Sequence, residues 1–220
     1  MGDMINRLAR LDTCAVSDAL DKLGIPNQVA SGLEQRSATR RVSGRVVTFR
    51  LVPAQGSPAQ AGPVRHLGTS AIELAQAGEV IVVEQRTGVD AGCWGGILTL
   101  GAKVRGVAGV IADGPVRDIE EARTYDFPIF CRSLTARTAR GRVVEAEVNQ
   151  PVSIGEVTVR PGDYVVADAG GCAFVPAARI EEVLATAEMI SAREAAMAKA
   201  LLAGRPISEV MGADYEHMLH

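Results

Sequence analysis

Two residues of opposite charge, Arg117 and Asp118, directly follow a segment that is almost wholly apolar. Residues 107–112 form a continuous apolar run, which predicts a buried strand, and the residues after Arg117 predict the start of a helix. Open α/β sheets bind ligands at the carboxyl ends of their strands, so we expect this charged pair at a ligand site. The alternative is that Asp118 caps the next helix with Glu121 as its capping-box partner, and that Arg117 is solvated.

A second candidate feature is the segment Trp94-Gly95-Gly96-Ile97-Leu98, which opens a predicted helix with two glycines. Free backbone N–H groups at a helix N-terminus bind anions, so the amides of residues 95–98 are candidates for holding a carboxylate. Pairs of glycines are also common in ordinary turns. This segment therefore gains meaning only together with the charged pair.

The third feature is Glu194, which interrupts an apolar stripe in the last predicted helix. The stripe repeats at spacings of three and four residues, and Glu194 stands where an apolar side chain belongs; the apolar members are Val183, Ala187, Ile190, Met197 and Leu201. An unpaired carboxylate inside packed apolar groups is costly. We expect the stripe to leave the core near Glu194 and to meet solvent or another subunit.

The elements that must position these residues alternate along the first two thirds of the chain. Apolar periodicity and turn residues predict helices at about 12–24, 95–104 and 118–125, a short helix capped by Ser70 and Glu73, and strands at 45–51, 79–84, 107–112 and 128–131. A small-residue loop lies at 55–63. This alternation is typical of an α/β fold with a parallel component.

From Arg142 onward, short β patterns separated by turn residues predict hairpins, and the chain then closes with a helix at about 178–203 and a short tail. The β patterns are Val143–Val148, Val152–Val159, Tyr164–Ala167 and Cys172–Val175. No composition break or internal repeat divides the sequence. We therefore expect one α/β domain over residues 1–220 with a mixed sheet.

Composition and charge exclude several classes of protein. The 23 Lys and Arg against 26 Asp and Glu give a net charge of −3, which offers no basic surface for direct nucleic-acid binding. No apolar run approaches the ~18 residues of a membrane span, so we expect a cytoplasmic protein without membrane contact. The four cysteines are widely spaced, and His66, His217 and His220 are the only histidines, which disfavours a zinc site or a disulfide scaffold.

Several short motifs, taken together, resemble the family of 4-hydroxy-4-methyl-2-oxoglutarate aldolases and RraA-like proteins over nearly the whole chain. They are Ser17-Asp-Ala-Leu20, Lys103-x-Arg-Gly-x-x-Gly-Val, Asp113-Gly-x-Val-Arg-Asp118 and Pro161-Gly-Asp163. The most diagnostic motif is Gly96-x20-Arg117-Asp118. The resemblance implies a fold related to the swivelling β/β/α domain, and a homotrimer or dimer of trimers with active sites between subunits.

The resemblance also implies roles for individual residues. Asp118 matches the metal-binding Asp, and Arg117 matches the Arg that contacts the keto and carboxylate oxygens of the substrate. Gly95, Gly96, Ile97 and Leu98 match the turn whose backbone amides hold the substrate carboxylate. Glu194 matches a Glu that reaches a metal-bound water of the neighbouring subunit. The implied cofactor is Mg²⁺ or Mn²⁺, since carboxylate and water ligands suit hard cations.

The sequence departs from the aldolases at Gly96, where those family members carry Asp. Glycine at this position is typical of members that resemble a ribonuclease regulator, which binds an endonuclease or helicase. The Arg117-Asp118 pair favours an enzyme. We therefore expect a divalent-metal-dependent lyase that cleaves 4-hydroxy-2-keto acids to pyruvate or decarboxylates oxaloacetate, and the alternative is a non-catalytic regulator.

Overall fold

The fold alternates strands and helices in its first two thirds and continues with hairpins and a long helix. The computed structural model describes residues 2–57 and 66–212. Within these residues the elements are α1 (Gly2–Leu8), α2 (Thr13–Lys22), β1 (Val29–Ala30), β2 (Glu34–Gln35), β3 (Val42–Pro53), α3 (Thr69–Leu74), β4 (Val80–Glu84), α4 (Gly96–Arg105), β5 (Gly109–Val116), α5 (Ile119–Thr124), β6 (Ile129–Leu134), β7 (Val143–Val148), β8 (Val152–Ile154), β9 (Val157–Val159), β10 (Tyr164–Asp168), β11 (Gly171–Val175), α6 (Ile180–Leu202) and α7 (Ile207–Val210).

The main sheet is mixed and has the strand order β1-β11-β10-β3-β4-β5-β6-β2, with β7 also paired to β3. The central strands β3, β4, β5 and β6 run parallel to one another. The outer strands are antiparallel to their neighbours. The expected α/β class with a mixed sheet is confirmed.

Both faces of the sheet are covered, which explains why the central strands read as continuous apolar runs rather than alternating ones. Helices α3, α4 and α5 cover one face over a cluster that includes Phe49, Trp94 and Phe127. The β8–β9 hairpin closes a second cluster on Phe130 and Phe174. A third cluster lies under α2 and α6.

Two local predictions are wrong. The capping box of Ser70 and Glu73 is not formed, because α3 starts after Gly68, which adopts a left-handed conformation (φ 77°) and offers no side chain as a cap. The segment 152–159 is a two-stranded hairpin rather than one strand, because Gly155 turns the chain with φ 57°. Part of the predicted 55–63 loop and both His217 and His220 lie outside the described residues.

Helix α6 leaves the core where the apolar stripe is interrupted. Its buried side chains end at Ile190, and Glu194 is exposed one turn later. The prediction that the stripe leaves the core near Glu194 is therefore confirmed. Among the described residues, no helix combines the length and apolar character needed to cross a membrane.

Candidate functional site

A pocket of about 160 Å³ lies between the N-terminus of α4 and the carboxyl end of β5. The residues that line it are His66, Leu67, Gly92, Trp94, Gly95, Gly96, Ile97, Leu98, Arg117, Asp118, Thr138 and Ala139. The structure thus brings the predicted amide segment 95–98 together with the predicted charged pair. These two features are about twenty residues apart in sequence.

Backbone pairing holds the start of α4 beside the end of β5. Cys93 N donates to the Pro115 carbonyl at 2.8 Å, and Arg117 N donates to the Trp94 carbonyl at 3.0 Å. The buried indole of Trp94 donates to the Thr99 hydroxyl at 2.9 Å, and that hydroxyl donates to the Gly95 carbonyl. The segment that carries the amides is therefore fixed from the strand side and from within its own helix.

The Asp118 side chain turns back toward α4 instead of capping α5. Its Oδ2 accepts a hydrogen bond from Gly96 N at 3.1 Å, and Arg117 Nε donates to Oδ1 and Oδ2 at 3.2 and 3.1 Å. Asp118 has a left-handed backbone (φ 57°, ψ 37°) and makes no side-chain hydrogen bond to the first turn of α5. The helix-cap alternative for Asp118 is therefore wrong.

Three glycines leave room for the side chains that cross above them. A Cβ atom on Gly92 would lie 3.0 Å from Arg117 Cγ, and a Cβ on Gly95 would lie 2.9 Å from Asp118 Oδ2. A Cβ on Gly96 would lie 2.5 Å from Cδ of Glu121, closer than real Cβ contacts allow. These glycines are required because charged side chains occupy the space of their missing Cβ atoms.

Comparison with known proteins assigns the chain to a family. The family model of RraA-like proteins, described as Aldolase/RraA, matches residues 13–173. The chain belongs to the Aldolase/RraA family. It is 30% identical over 199 residues to a Halalkalibacterium halodurans protein provisionally named as a 4-hydroxy-4-methyl-2-oxoglutarate aldolase, covering 90% of this chain and 89% of that protein. It is 28% identical to the Legionella pneumophila protein DlpA over 95% of this chain, but spans only 33% of DlpA.

Solved structures of the family share the architecture. A crystal structure of an uncharacterized Pseudomonas syringae protein superposes with a TM-score of 0.85 at 27% identity, covering 96% of this chain and 98% of that one. Streptomyces coelicolor RraAS2, described as an unusual member of the RNase ES inhibitor RraA protein family, superposes at 0.76 with 26% identity over 93% and 98% of the two chains. The fold of this chain is therefore the RraA fold.

Glu121 borders the site through Gly96 without lining the pocket, and the sequence interpretation gave it no role there. The capping-box hypothesis placed it beside Asp118 as a helix cap, whereas its carboxylate lies against Gly96. Its own backbone N donates to the Asp118 carbonyl at 3.1 Å. The available signal was the spacing Asp118-x-x-Glu121, which puts both side chains at the start of one helix.

The carboxylates of Asp118 and Glu121 decide whether a divalent cation fits this site. The described residues contain no group of three or more His, Cys, Asp or Glu side chains arranged to hold a metal. Mg²⁺ does not need such a group, because it keeps several waters and binds through one or two carboxylates together with its substrate. The Glu121 carboxylate lies against Gly96, and the Asp118 carboxylate accepts a hydrogen bond from Gly96 N. This donor set fits a hard divalent cation.

Glu194 does not reach this pocket within one chain. It is exposed on α6, and it is absent from the residues that line the pocket. Partial burial, followed by the negative charges of Asp12 and Asp18, raises the pKa of the Glu194 carboxyl. Its predicted role depends on a second copy of the chain.

Proposed function

We propose that this protein is a carbon–carbon lyase that releases pyruvate from 4-hydroxy-2-keto acids and decarboxylates oxaloacetate. The observation that carries the proposal is the convergence of Arg117, Asp118 and the first amides of α4 on one pocket. The family relatives named as aldolases support lyase chemistry at the level of the family. The keto and carboxylate oxygens of a small 2-keto acid match this combination of the Arg117 guanidinium and backbone N–H donors.

The residues of the pocket would act on the two oxygen-bearing ends of such a substrate. The amides of the first helical turn, including those of Ile97 and Leu98, have no intrahelical partners and would bind the carboxylate. The Arg117 guanidinium would lie where the enolate oxygen gains negative charge. Preorganised donors of this kind each contribute about 2.7–4 kcal/mol to transition-state stabilisation.

Mg²⁺ or Mn²⁺ is the proposed cofactor, and when bound it would supply Lewis-acid charge at the keto oxygen. Asp118 would hold the cation. Glu121 would provide the second carboxylate, in the space over Gly96 where aldolases of the family carry Asp. The hydrogen bond from Gly96 and the ion pair with Arg117 orient Asp118 for that task.

The two reactions make different demands on the site. Both pass through the pyruvate enolate, but aldol cleavage also needs a base that removes the proton of the 4-hydroxyl group. Decarboxylation needs no such base. If Gly96 has weakened one of the two activities, we expect aldol cleavage to be the weaker one.

We propose further that the site is shared between copies in a homotrimer or a dimer of trimers, with Glu194 supplied by the neighbour. Helix α4 has an exposed apolar face, on which Ile97 and Val104 are 80% and 81% exposed and Leu100 lies between them. This face borders the pocket, because Ile97 also lines it. A second copy covering this face would exclude water from the pocket. Asp118→Ala and Glu194→Ala proteins, each weak alone, should regain activity when they are refolded together.

Pyruvate release, with and without Mg²⁺, tests the proposal on a panel of 4-hydroxy-2-keto acids and oxaloacetate. Asp118→Asn should abolish the metal-stimulated rate while keeping the fold, because Asn also tolerates a left-handed backbone. Asp126→Asn is the matched control, since Asp126 also has positive φ (47°), is exposed and does not line the pocket. Unchanged metal-stimulated turnover in Asp118→Asn would refute the assignment.

The second candidate function is a regulator that binds a ribonuclease or helicase. It is favoured by glycine at position 96 and by the likeness to RraAS2, whose family is described by ribonuclease inhibition. A regulator would act through its surface, so ribonuclease inhibition would survive Asp118→Asn. This function would be established instead if the wild-type protein had no lyase activity and if the wild-type and Asp118→Asn proteins inhibited a ribonuclease equally well.

A further inference from the structure

We propose that His66 is the acid–base residue of the aldol reaction, an inference that rests on the proposed lyase function. His66 lines the same pocket as Arg117 and Asp118, and it is exposed at the pocket rim. It lies about fifty residues before the charged pair in sequence. The motifs that carry the resemblance do not include it.

The backbone around His66 is held against the pocket wall. The Thr69 hydroxyl donates to the His66 carbonyl at 2.7 Å, and Gly68 N donates to Glu145 Oε2 at 2.6 Å. A Cβ on Gly68 would contact Leu98 and Trp94 at 3.4 Å, so the chain there packs directly on two residues of the pocket. The histidine therefore enters the pocket from an anchored turn.

One hydrogen bond favours a particular tautomer of the neutral imidazole. His66 Nδ1 lies 3.0 Å from the Leu67 carbonyl oxygen, which can only accept, so the proton of the neutral ring is on Nδ1. The lone pair on Nε2 is left to accept a proton. Such a tautomer is the form in which a histidine acts as a general base.

The other ionisable side chains that line the pocket are less suited to this step. Arg117 stays protonated in proteins, so it cannot take a proton. Asp118 already accepts hydrogen bonds from Arg117 and Gly96, and it is the proposed ligand of the cation. Among the described residues lining the pocket, His66 is left as the group that can both take and return a proton.

In the proposed reaction, His66 both removes the proton from the substrate and returns it to the product. Nε2 takes the proton of the 4-hydroxyl group, the C4–O bond becomes a carbonyl, and the C3–C4 bond breaks. The electron pair of the broken C3–C4 bond forms the C2–C3 double bond of the enolate, and the π electrons of the C2 keto group move onto its oxygen. That enolate oxygen would lie at Arg117. The imidazolium then returns its proton to C3, which yields the methyl group of pyruvate and restores neutral His66.

The test compares two substrates on one variant. His66→Gln should lower kcat/KM for a 4-hydroxy-2-keto acid by about 10²-fold or more, the usual contribution of a general base, and leave the release of CO₂ from oxaloacetate, a step that removes no proton from the substrate, unchanged. Imidazole added to His66→Ala should restore part of the aldol rate. Gln76→Ala, an exposed change just beyond the end of α3, is the control and should alter neither activity.

Binding supplies a readout that is independent of turnover. Oxalate resembles the planar pyruvate enolate, and adding it should shift the imidazole NMR signal that is missing from His66→Gln. Equal losses on both substrates, or no loss on either, would overturn the role of His66 while leaving the lyase function standing. A wild-type protein inactive on both substrates would overturn the lyase function and this inference together.

Discussion

Replacing Gly96 by Asp tests the proposal that Glu121 stands in for the carboxylate that the family resemblance implies at position 96 of the aldolases. The new Cβ would lie 2.5 Å from Glu121 Cδ, so one of the two side chains must move. Glu121 is exposed and can swing into solvent. The Gly96→Asp substitution therefore places a new carboxylate in the space that the Glu121 carboxylate now occupies. Glu121→Ala removes the Glu121 carboxylate from that space.

The magnitude follows from the charges and the helix position. Two carboxylates about 4 Å apart repel by about 1 kcal/mol in water and about 4 kcal/mol at an effective dielectric constant of 20. Against this, Asp in the first turn of α4 gains about 0.3–1 kcal/mol from the helix dipole and about 0.5–1 kcal/mol from the removal of glycine. We expect the Gly96→Asp change to be favourable by about 1–2 kcal/mol without Glu121 and about 1–4 kcal/mol less favourable with it.

The assay is a double-mutant cycle read by urea unfolding and by pyruvate release with Mg²⁺. Glu121→Ala alone should lose activity, and Gly96→Asp combined with Glu121→Ala should regain it, because one carboxylate is restored. Glu120→Ala, one residue earlier on the outer side of α5, is the control. Full activity in Glu121→Ala, or a coupling energy of zero between the two positions, would refute the compensation.

Three further predictions concern the site and its support. Arg117→Lys should lower kcat/KM by about 10²–10³-fold, because a point charge cannot replace a planar fork at two oxygens. Asp113→Ala should cost about 3 kcal/mol in urea unfolding, because Asp113 is 5% exposed and pairs with Arg132 Nε at 2.6 Å, which would lose its partner. Burial raises the pKa of Asp168, but the hydrogen bonds from Thr13 and Gly170 together with the charge of Arg41 outweigh it, and the net pKa is lowered. Its contribution to stability should therefore be complete above the ordinary Asp pKa and be lost as pH falls through the lowered value, a loss that Thr13→Val should diminish in acid unfolding.

The order of elements could be predicted because apolar periodicity and turn residues mark it locally. The predicted strand 79–84 differs from β4 by one residue at its start, and the predicted helix at about 95–104 differs from α4 by one residue at each end. Strand β5 was placed too early, at 107–112 instead of Gly109–Val116, because its second half contains Asp113, Gly114 and Pro115. Those residues are poor strand formers, and neighbouring strands hold them in the ladder.

Pairing across the sheet had no local signal. The antiparallel addition of β10 and β7 to β3 joins residues at least ninety positions apart, and only the folded chain shows it. The charged pair could be placed at a ligand site from the rule for strand ends, and the amide segment from the affinity of helix N-termini for anions; the family resemblance joined the two. Glu121 could not, because a capping box and a carboxylate over a glycine have the same spacing in sequence.

The left-handed backbone of Asp118 connects stability to the proposed chemistry. For most residues other than Gly, Asn and Asp this conformation costs about 1–2 kcal/mol, and strain of that kind persists where surrounding contacts hold it. Here the contacts are the Gly96 amide and the Arg117 guanidinium, and the guanidinium would also face the substrate. An ordinary helical cap at position 118 would aim the carboxylate at α5 and away from α4. The backbone conformation is therefore what turns a helix-start Asp into a residue of the pocket, and glycine at position 95 is what lets it lie there.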